Sequence, residues 1–146
     1  MTLQPIIPAN DRLIVALDVP TVSAAKELVT VLDDSVVFYK VGLELFMSGD
    51  AFALVNWLRE RDKKVFVDLK FFDVPATVGR AVSQLNGLGI TFATIHGNDA
   101  IMQAAAASAE DVDILAVTVL TSLDRGDLSD LGFDCDVSEL VVSRAR

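Results

Sequence analysis

Three charged residues, Asp68, Lys70 and Asp73, lie close together directly after the apolar residues 65–67. In a β-strand, alternation would place Asp68 and Lys70 side by side on one face at the strand's carboxyl end. Charges at such a position are costly to bury unless they are paired, and strongly perturbed charges cluster at functional sites. This spacing therefore predicts a functional ion pair, with Asp73 beyond the strand end and free to turn back to Lys70 or towards a partner.

Polar residues also follow the other predicted strands. They are Asp18 after the first, Lys40 after the second, His96 after the fourth, and Thr121 with Ser122 after the fifth. An open sheet would spread these residues along one edge, whereas a barrel gathers all its strand ends into one ring, where the active sites of that fold lie. The placement of the polar residues therefore favours a barrel.

The elements that must position these residues are predicted from hydrophobic periodicity. Five short apolar runs rich in Val, Ile and Phe resemble strands buried on both faces, and they lie at residues 13–17, 36–41, 65–69, 90–95 and 114–120. Segments with helical spacing of apolar residues separate them. The long polar stretch 121–134 is predicted to be a loop, and loops of that length are usually functional or mobile.

Two architectures fit five β-α units within a single domain over residues 1–146. A doubly wound sheet suits the chain length. The other is a TIM (β/α)8-type barrel, of which this chain would hold only the first five β-α units, because a complete barrel needs about 250 residues. We expect the barrel, because it brings the polar strand ends together.

Composition excludes several classes of protein. The net charge of −9 argues against a nucleic-acid partner, because no basic surface is available to meet phosphates. No apolar run approaches the roughly 20 residues that span a membrane, and the first ten residues lack a secretory signal. The single cysteine, Cys135, fits a reducing compartment. We therefore expect a cytoplasmic protein without membrane or nucleic-acid partners.

Four segments resemble the orotidine 5'-phosphate decarboxylase family. They are FYKVGLELF at 38–46, VDLKFFDVPATV at 67–78, ALDV at 16–19 and VLTS at 119–122. The resemblance extends from Asp11 to Arg146 and is most specific where Asp-x-Lys-x-x-Asp at 68–73 combines with Lys40. Related barrel enzymes that act on sugar phosphates share the first motif but use a metal and carry an acid at the position of Lys40. A lysine there implies the metal-free decarboxylase.

The resemblance implies a role for each matched residue. Lys40, Asp68, Lys70 and Asp73 would form an alternating charge network, in which Asp68 faces the substrate carboxylate and Lys70 protonates the carbon that loses carbon dioxide. The implied substrate-binding residues are Asp18, Lys40, Asp68, Lys70, Asp73, Val74, Thr77 and Thr121. The substrate would be a small-molecule nucleotide, no cofactor or metal would be needed, and Asp73 and Thr77 would reach the neighbouring site of a homodimer.

The chain also departs from the family's pattern. Phe72 and Ala76 stand where His and Asn are usual, and the later strands that grip the substrate phosphate and complete the barrel are absent. Two alternatives therefore stay open. One is an inactive fragment of the enzyme, and the other is a receiver-like, doubly wound signalling domain, although only one acid, Asp18, follows the first predicted strand.

Overall fold

The computed structural model describes residues 6–146. Within them lie five strands and seven α-helices, with single turns of 3-10 helix at Ala9–Asp11 and Asp33–Ser35. The strands are β1 (Val15–Ala16), β2 (Phe38–Gly42), β3 (Lys64–Phe71), β4 (Phe92–His96) and β5 (Asp113–Val117). The helices are α1 (Val22–Leu32), α2 (Leu43–Met47), α3 (Ala51–Arg59), α4 (Pro75–Ser83), α5 (Asp99–Ser108), α6 (Arg125–Asp130) and α7 (Val137–Arg144).

The sheet order decides between the two predicted architectures. All neighbouring strands are parallel, and their order is β1-β2-β3-β4-β5, the order of the chain itself. A doubly wound sheet reverses direction at a switch point and so has a different strand order. The fold is therefore part of a TIM barrel, and the receiver-like alternative is wrong.

One face of the sheet packs against the helices and forms the main core. Tyr39 and Val41 of β2, Val65 and Val67 of β3, and Ile95 of β4 are fully buried there. They belong to one cluster with apolar residues of α1, α3, α4 and α5, such as Val29, Leu54, Val78 and Ile101. Burial against helices on this face explains why the strands have nearly continuous apolar sequences.

The other face of the sheet is the interior side of the barrel. Phe92 stacks on Phe38 with ring centroids 5.5 Å apart and meets Phe66 edge-on at 6.0 Å. These three rings fill the lower part of the interior, and the polar residues lie beyond them towards the carboxyl ends. Towards the sheet edges the same face is more open, since Ile14 beside β1 is 37% exposed and Leu115 on β5 is 41% exposed.

Several strand and loop boundaries differ from the sequence prediction. β1 has only two residues, and β5 ends at Val117 rather than at residue 120. The stretch 121–134 is not a continuous loop, because it contains α6, which begins at a reciprocal capping box between Asp124 and Asp127. Each side chain accepts a hydrogen bond from the other residue's backbone N–H, which satisfies two donors that a helix start leaves unpaired.

The helices of residues 6–146 are too short or too polar to cross a bilayer. Pro75 occupies the first turn of α4, where a missing backbone N–H costs nothing. Asp136 and Glu139 form a capping box at the start of α7. Local sequence signals thus fix the starts of α4 and α7.

Candidate active site

The predicted ion pair lies on an irregular part of β3. The register of β3 against β4 pairs Val67 with Ala93 and then Phe71 with Ile95, so extra residues bulge out of β3 between these pairs. Lys70 in this bulge has φ +49°, a left-handed conformation that costs a residue with a side chain about 1 kcal/mol or more. The predicted plain alternation of Asp68 and Lys70 is therefore wrong, although the two side chains do meet.

Asp68 is the centre of the charged cluster. Its Oδ1 lies 2.8 Å from the Lys70 Nζ, and its Oδ2 lies 3.4 Å from the Lys40 Nζ. The Lys40 Nζ also lies 3.3 Å from Oδ1 of Asp18, so four charges alternate in sign from Asp18 to Lys70. An opposite charge therefore lies between each two like charges. The attraction between neighbours offsets part of the free-energy cost of burying the four groups.

The exposure of these four side chains increases away from Asp68. The Asp68 side chain is 13% exposed, compared with 22% for Lys40, 39% for Lys70 and 70% for Asp18. Burial by itself would raise the pKa of Asp68. Hydrogen bonds from Lys70 and Thr94, together with the charges of Lys70 and Lys40, outweigh burial and lower the pKa of this carboxyl below its ordinary value. Asp68 is therefore a carboxylate at neutral pH.

A cavity of about 290 Å³ opens directly over this cluster. Its polar wall consists of Asp18, Lys40, Glu44, Asp68, Lys70 and His96, and its apolar wall includes Leu17, Leu43, Leu45, Leu69 and Leu120. The cavity is large enough for a small organic molecule, and its polar groups converge on one end. Sequence reasoning did not select Glu44 or Leu120 as site residues and left the role of His96 open.

Asp73 lies away from its own chain's Lys70. It is exposed, and its Oδ1 accepts a hydrogen bond of 2.6 Å from the Val74 backbone N–H. Thr77 lies in the first turns of α4, where its hydroxyl accepts a hydrogen bond of 3.2 Å from Arg80. Neither Asp73, Val74 nor Thr77 lines the charged cavity within the described chain. The three residues are thus brought together with one another, but not with Asp68.

Thr121 and Ser122 lie in a turn several residues past the end of β5, and both are exposed. Neither lines the charged cavity, whereas their neighbour Leu120 does. The cause is the early end of β5 at Val117, because the chain turns away before it reaches Thr121. In the described residues, the fifth strand end therefore contributes an apolar wall rather than a hydroxyl group.

A second cavity of about 280 Å³ adjoins the first through His96 and Leu120. Its walls are mostly apolar and come from β4, the segment after β5, α6 and α7. Phe72 lies against His96 with ring centroids 4.5 Å apart, so the residue that replaces the expected histidine covers an imidazole. Burial lowers the pKa of His96, and the positive charges of Arg144 and Lys70 lower it further.

Four large apolar side chains that follow strands β2 and β3 are exposed. Leu43 and Met47 on α2 are 61% and 74% exposed, and Phe72 and Val74 after β3 are 65% and 63% exposed. We call these four residues the rim patch, since they follow the carboxyl ends of the neighbouring strands β2 and β3. Clusters of exposed apolar side chains on a protein surface usually mark an interaction site.

Residues 6–146 contain no group of three or more His, Cys, Asp and Glu side chains placed to hold a metal ion. The acids of the charged cluster are instead separated by lysines. Lys40 lies between Asp18 and Asp68, with its Nζ within 3.4 Å of both carboxylates. An ammonium therefore occupies the position between the two carboxylates at which a cation would bind.

Residues 11–146 match the model of the orotidine 5'-phosphate decarboxylase / HUMPS family. The chain is 72% identical to an orotidine 5'-phosphate decarboxylase of Methylococcus capsulatus over 140 residues, which are 96% of this chain and 58% of that protein. It is 51% identical to the Stenotrophomonas maltophilia protein of the same name over 138 residues, 93% of this chain and 57% of the relative. The chain thus spans under three fifths of the length of these relatives.

A solved structure is also similar. The crystal structure of orotidine 5'-phosphate decarboxylase from Lactobacillus acidophilus superposes with a TM-score of 0.81 at 33% sequence identity. The match covers 91% of this chain and 64% of that one. The partial coverage agrees with the sheet, which has the strand order of a barrel but only part of its strands.

Proposed function

We propose that this chain, which belongs to the orotidine 5'-phosphate decarboxylase / HUMPS family, carries the charged half of a site that converts orotidine 5'-phosphate to uridine 5'-phosphate and carbon dioxide. The observation that carries this proposal is the alternating cluster in which the Lys40 and Lys70 ammonium groups flank the Asp68 carboxylate. The names of the Methylococcus and Stenotrophomonas relatives support the choice of substrate.

The chemistry needs a positive charge beside the reacting carbon. Loss of carbon dioxide breaks a carbon–carbon bond and leaves an electron pair on a ring carbon, in an orbital that the ring cannot delocalise. An ammonium held next to that carbon stabilises the developing charge and then donates the proton that replaces carbon dioxide. We assign this role to Lys70, because it is the more exposed of the two lysines and borders the cavity.

Asp68 has two functions in this scheme. It pairs with the Lys70 ammonium and orients it through the contact of 2.8 Å. It also places a negative charge next to the substrate carboxylate, which raises the energy of the bound substrate relative to a transition state in which that carboxylate leaves as a neutral molecule. The low pKa of Asp68 supports both functions, because only the ionised carboxyl can perform them.

The remaining residues would bind the parts of the substrate that do not react. We propose that Asp18 and Lys40, which pair at 3.3 Å at the mouth of the cavity, hold ribose hydroxyl groups. Thr121 would border the pyrimidine, a role that requires the segment after β5 to move towards the cavity, since Thr121 is exposed in this structure. Leu120 supplies the apolar wall next to it.

We propose that the site is shared between two copies of the chain in a homodimer. Asp73, Val74 and Thr77 do not line their own cavity, and the exposed Asp73 lies between Phe72 and Val74 of the rim patch. Burial of the rim patch between two copies would bring the Asp73 and Thr77 of one copy to the cavity of the other. Symmetric dimers use the same surface on both subunits, so one patch is sufficient.

A metal-free, cofactor-free reaction and a cytoplasmic location stay predictions. An ammonium at Lys40, between two carboxylates, supports the first, because it supplies the positive charge that a metal would supply elsewhere. The single cysteine, Cys135, is free and supports a reducing compartment. Turnover that persists in a chelator would agree with the first prediction, and dependence on added metal would contradict it.

A second candidate function is a catalytically weak fragment. The observation that favours it is the coverage of only 58% of the Methylococcus relative. Binding energy from parts of the substrate that do not react is used to stabilise the transition state, so missing contacts reduce turnover and not only affinity. The charged cluster would then be formed but would act on a poorly held substrate.

The test is the formation of uridine 5'-phosphate from orotidine 5'-phosphate by the purified chain. We expect Lys70→Ala to lower turnover by about a hundredfold or more, the range that a positioned proton donor contributes. Lys64→Ala is the matched control, because Lys64 lies at the opposite end of the same strand and pairs with Asp11 at 2.7 Å. Circular dichroism of each variant confirms that it is folded.

The outcomes separate the two candidate functions. Turnover that depends on Lys70 but not on Lys64 supports the decarboxylase assignment. A folded chain without turnover that still binds uridine 5'-phosphate, and loses this binding in Asp18→Ala, supports the fragment. Full turnover in Lys70→Ala would contradict the assignment of Lys70 as the proton donor.

A further inference from the structure

Thr94 is a polar residue buried within the sheet close to the charged cluster. It lies on β4 between Ala93 and Ile95, and only 5% of its surface is exposed. It shares the interior face of the strand with Phe92 and His96, because residues two apart on a strand point to the same side. A hydroxyl group buried at such a position must find hydrogen-bond partners or destabilise the fold.

Both partners of the Thr94 hydroxyl belong to the charged pair. The hydroxyl accepts a hydrogen bond of 2.9 Å from the backbone N–H of Lys70 and donates one of 2.9 Å to Oδ1 of Asp68. The directions are fixed, since an ionised carboxylate can only accept and a backbone N–H can only donate. The same Oδ1 also accepts the bond of 2.8 Å from the Lys70 ammonium.

We infer that Thr94 is a positioning residue for the proposed decarboxylation, because its one hydroxyl holds the Asp68 carboxylate and the Lys70 backbone in fixed relation. This inference rests on the proposed function. Lys70 has a left-handed backbone inside a bulge, so the β3–β4 ladder does not hold its N–H in the regular way. Thr94 replaces the missing ladder contact, and through Asp68 it also orients the end of the Lys70 side chain.

The other charged groups near Asp68 do not replace Thr94. Lys40 on β2 reaches only Oδ2, at 3.4 Å, and Asp18 acts on Asp68 only through Lys40. Glu44 and His96 line the same cavity but make no hydrogen bond to Asp68 within the described residues. Thr94 is thus the neutral group that fixes Oδ1, and its hydrogen bond contributes to the lowered pKa of Asp68.

Three variants of the full chain test this inference. Thr94→Val keeps the branched shape and removes the hydroxyl, whereas Thr94→Ser keeps the hydroxyl and removes a methyl group. Thr91→Val is the matched control, because Thr91 lies just before β4, at the end of that strand away from the charges. If Thr94→Val does not fold, Thr94→Ala removes the same hydroxyl without adding a methyl group.

The first readout is the NMR titration of the Asp68 carboxyl carbon, which does not depend on activity. The second readout is the pair of kinetic constants kcat and KM for orotidine 5'-phosphate, each determined separately. We expect Thr94→Val to raise the pKa of Asp68 and to lower kcat about tenfold or more with little change in KM, since a hydrogen bond to a charged group is lost. Thr94→Ser should restore both values, and Thr91→Val should match the unmodified chain.

An unchanged Asp68 titration in Thr94→Val would overturn the inference, as would a Thr94→Ser variant that behaves like Thr94→Val. Failure of the proposed function gives a different pattern. Full turnover in Lys70→Ala would reject the role of Lys70 as the proton donor, while the Asp68 titration would still test the role of Thr94. A chain with no turnover at all leaves the titration as the deciding measurement.

Discussion

At the scale of single residues, the site depends on one carboxylate that serves several donors. Asp68 accepts hydrogen bonds from Thr94 and the Lys70 ammonium and lies close to the Lys40 ammonium. Its ionised form is therefore favoured despite burial, and the favourable contacts exist only in the folded chain. Any difference in pKa between the folded and unfolded chain makes stability depend on pH.

We predict that Asp68→Asn flattens the acid side of the stability curve. Because folding lowers the pKa of Asp68, the contribution of Asp68 to stability is fully present above the unfolded pKa and is lost as pH falls through the folded pKa. In Asp68→Asn this loss cannot occur, but Lys40 and Lys70 lose their shared partner, so the variant should be less stable at neutral pH. Urea unfolding at a series of pH values, followed by Trp57 fluorescence, measures both effects.

Parallel stability curves for the two proteins would contradict this prediction. The same unfolding data address the prediction of a single domain over residues 1–146. Coincident transitions by Trp57 fluorescence and by circular dichroism are expected from one cooperative unit. Separate transitions would indicate that the chain unfolds in parts.

At the scale of elements, the sequence predicted those strands and helices whose buried residues recur at regular intervals. The strands β2, β3 and β4 and the helices between them were predicted. Short continuous apolar runs indicate the buried strands, and apolar residues three or four positions apart indicate the helices. The edge strands were predicted less well. β1 and β5 each pair on one side within the described residues, and both are shorter than their apolar runs at 13–17 and 114–120.

The candidate site was predicted in residue type but not in geometry. Asp18, Lys40, Asp68 and Lys70 do meet, because parallel strands end at one edge. The bulge that places Lys70 was not predictable, since its left-handed backbone is not at a glycine. It depends on the hydroxyl of Thr94, a residue 24 positions away in sequence, and local spacing carries no information about such a contact.

Helix α6 was missed for a related reason. It has only six residues, Arg125–Asp130, in a stretch rich in Asp and Gly, so intrinsic propensity favours a loop. The capping box of Asp124 and Asp127 stabilises it, together with the fully buried Leu128, which lines the second cavity. The wall of that cavity therefore depends on a capping interaction.

We predict that Asp124→Ala destabilises α6 by about 1 kcal/mol, the usual cost of losing a helix cap. Backbone amides of residues 125–131 should exchange with solvent faster, while amides of β2 and β3 should be unaffected. Asp130→Ala is the matched control, because Asp130 is an exposed acid in the last turn of the same helix. Equal exchange in the two variants would show that the capping box does not hold α6.

At the scale of the whole molecule, the chain has surfaces that a complete barrel would cover. β1 and β5 are edge strands in the described sheet, and Ile14 and Leu115 expose apolar surface on its interior face. The relatives are longer, and the chain spans 58% of the Methylococcus protein. Unpaired strand edges next to exposed apolar side chains favour association with further chain.

The rim patch is a separate surface at the carboxyl ends of β2 and β3. Leu43, Met47, Phe72 and Val74 are all more than half exposed. Asp73 lies between Phe72 and Val74 in the chain, and its carboxylate accepts from the Val74 N–H rather than pairing with its own Lys70. We propose that Lys70 of one copy and Asp73 of another act on the same substrate. A site divided in this way can be rebuilt from two different inactive chains.

The most direct test mixes two variants, Lys70→Ala and Asp73→Ala, after unfolding and refolding them together. In a shared site, the mixed dimer places both changes in one site and leaves the other site intact. Each variant alone should be inactive, and an equal mixture should recover about a quarter of the turnover of the unmodified dimer, since half of the dimers are mixed and each has one intact site. No recovery in the mixture, with an active unmodified chain, would contradict the shared site and the role of Asp73 in it.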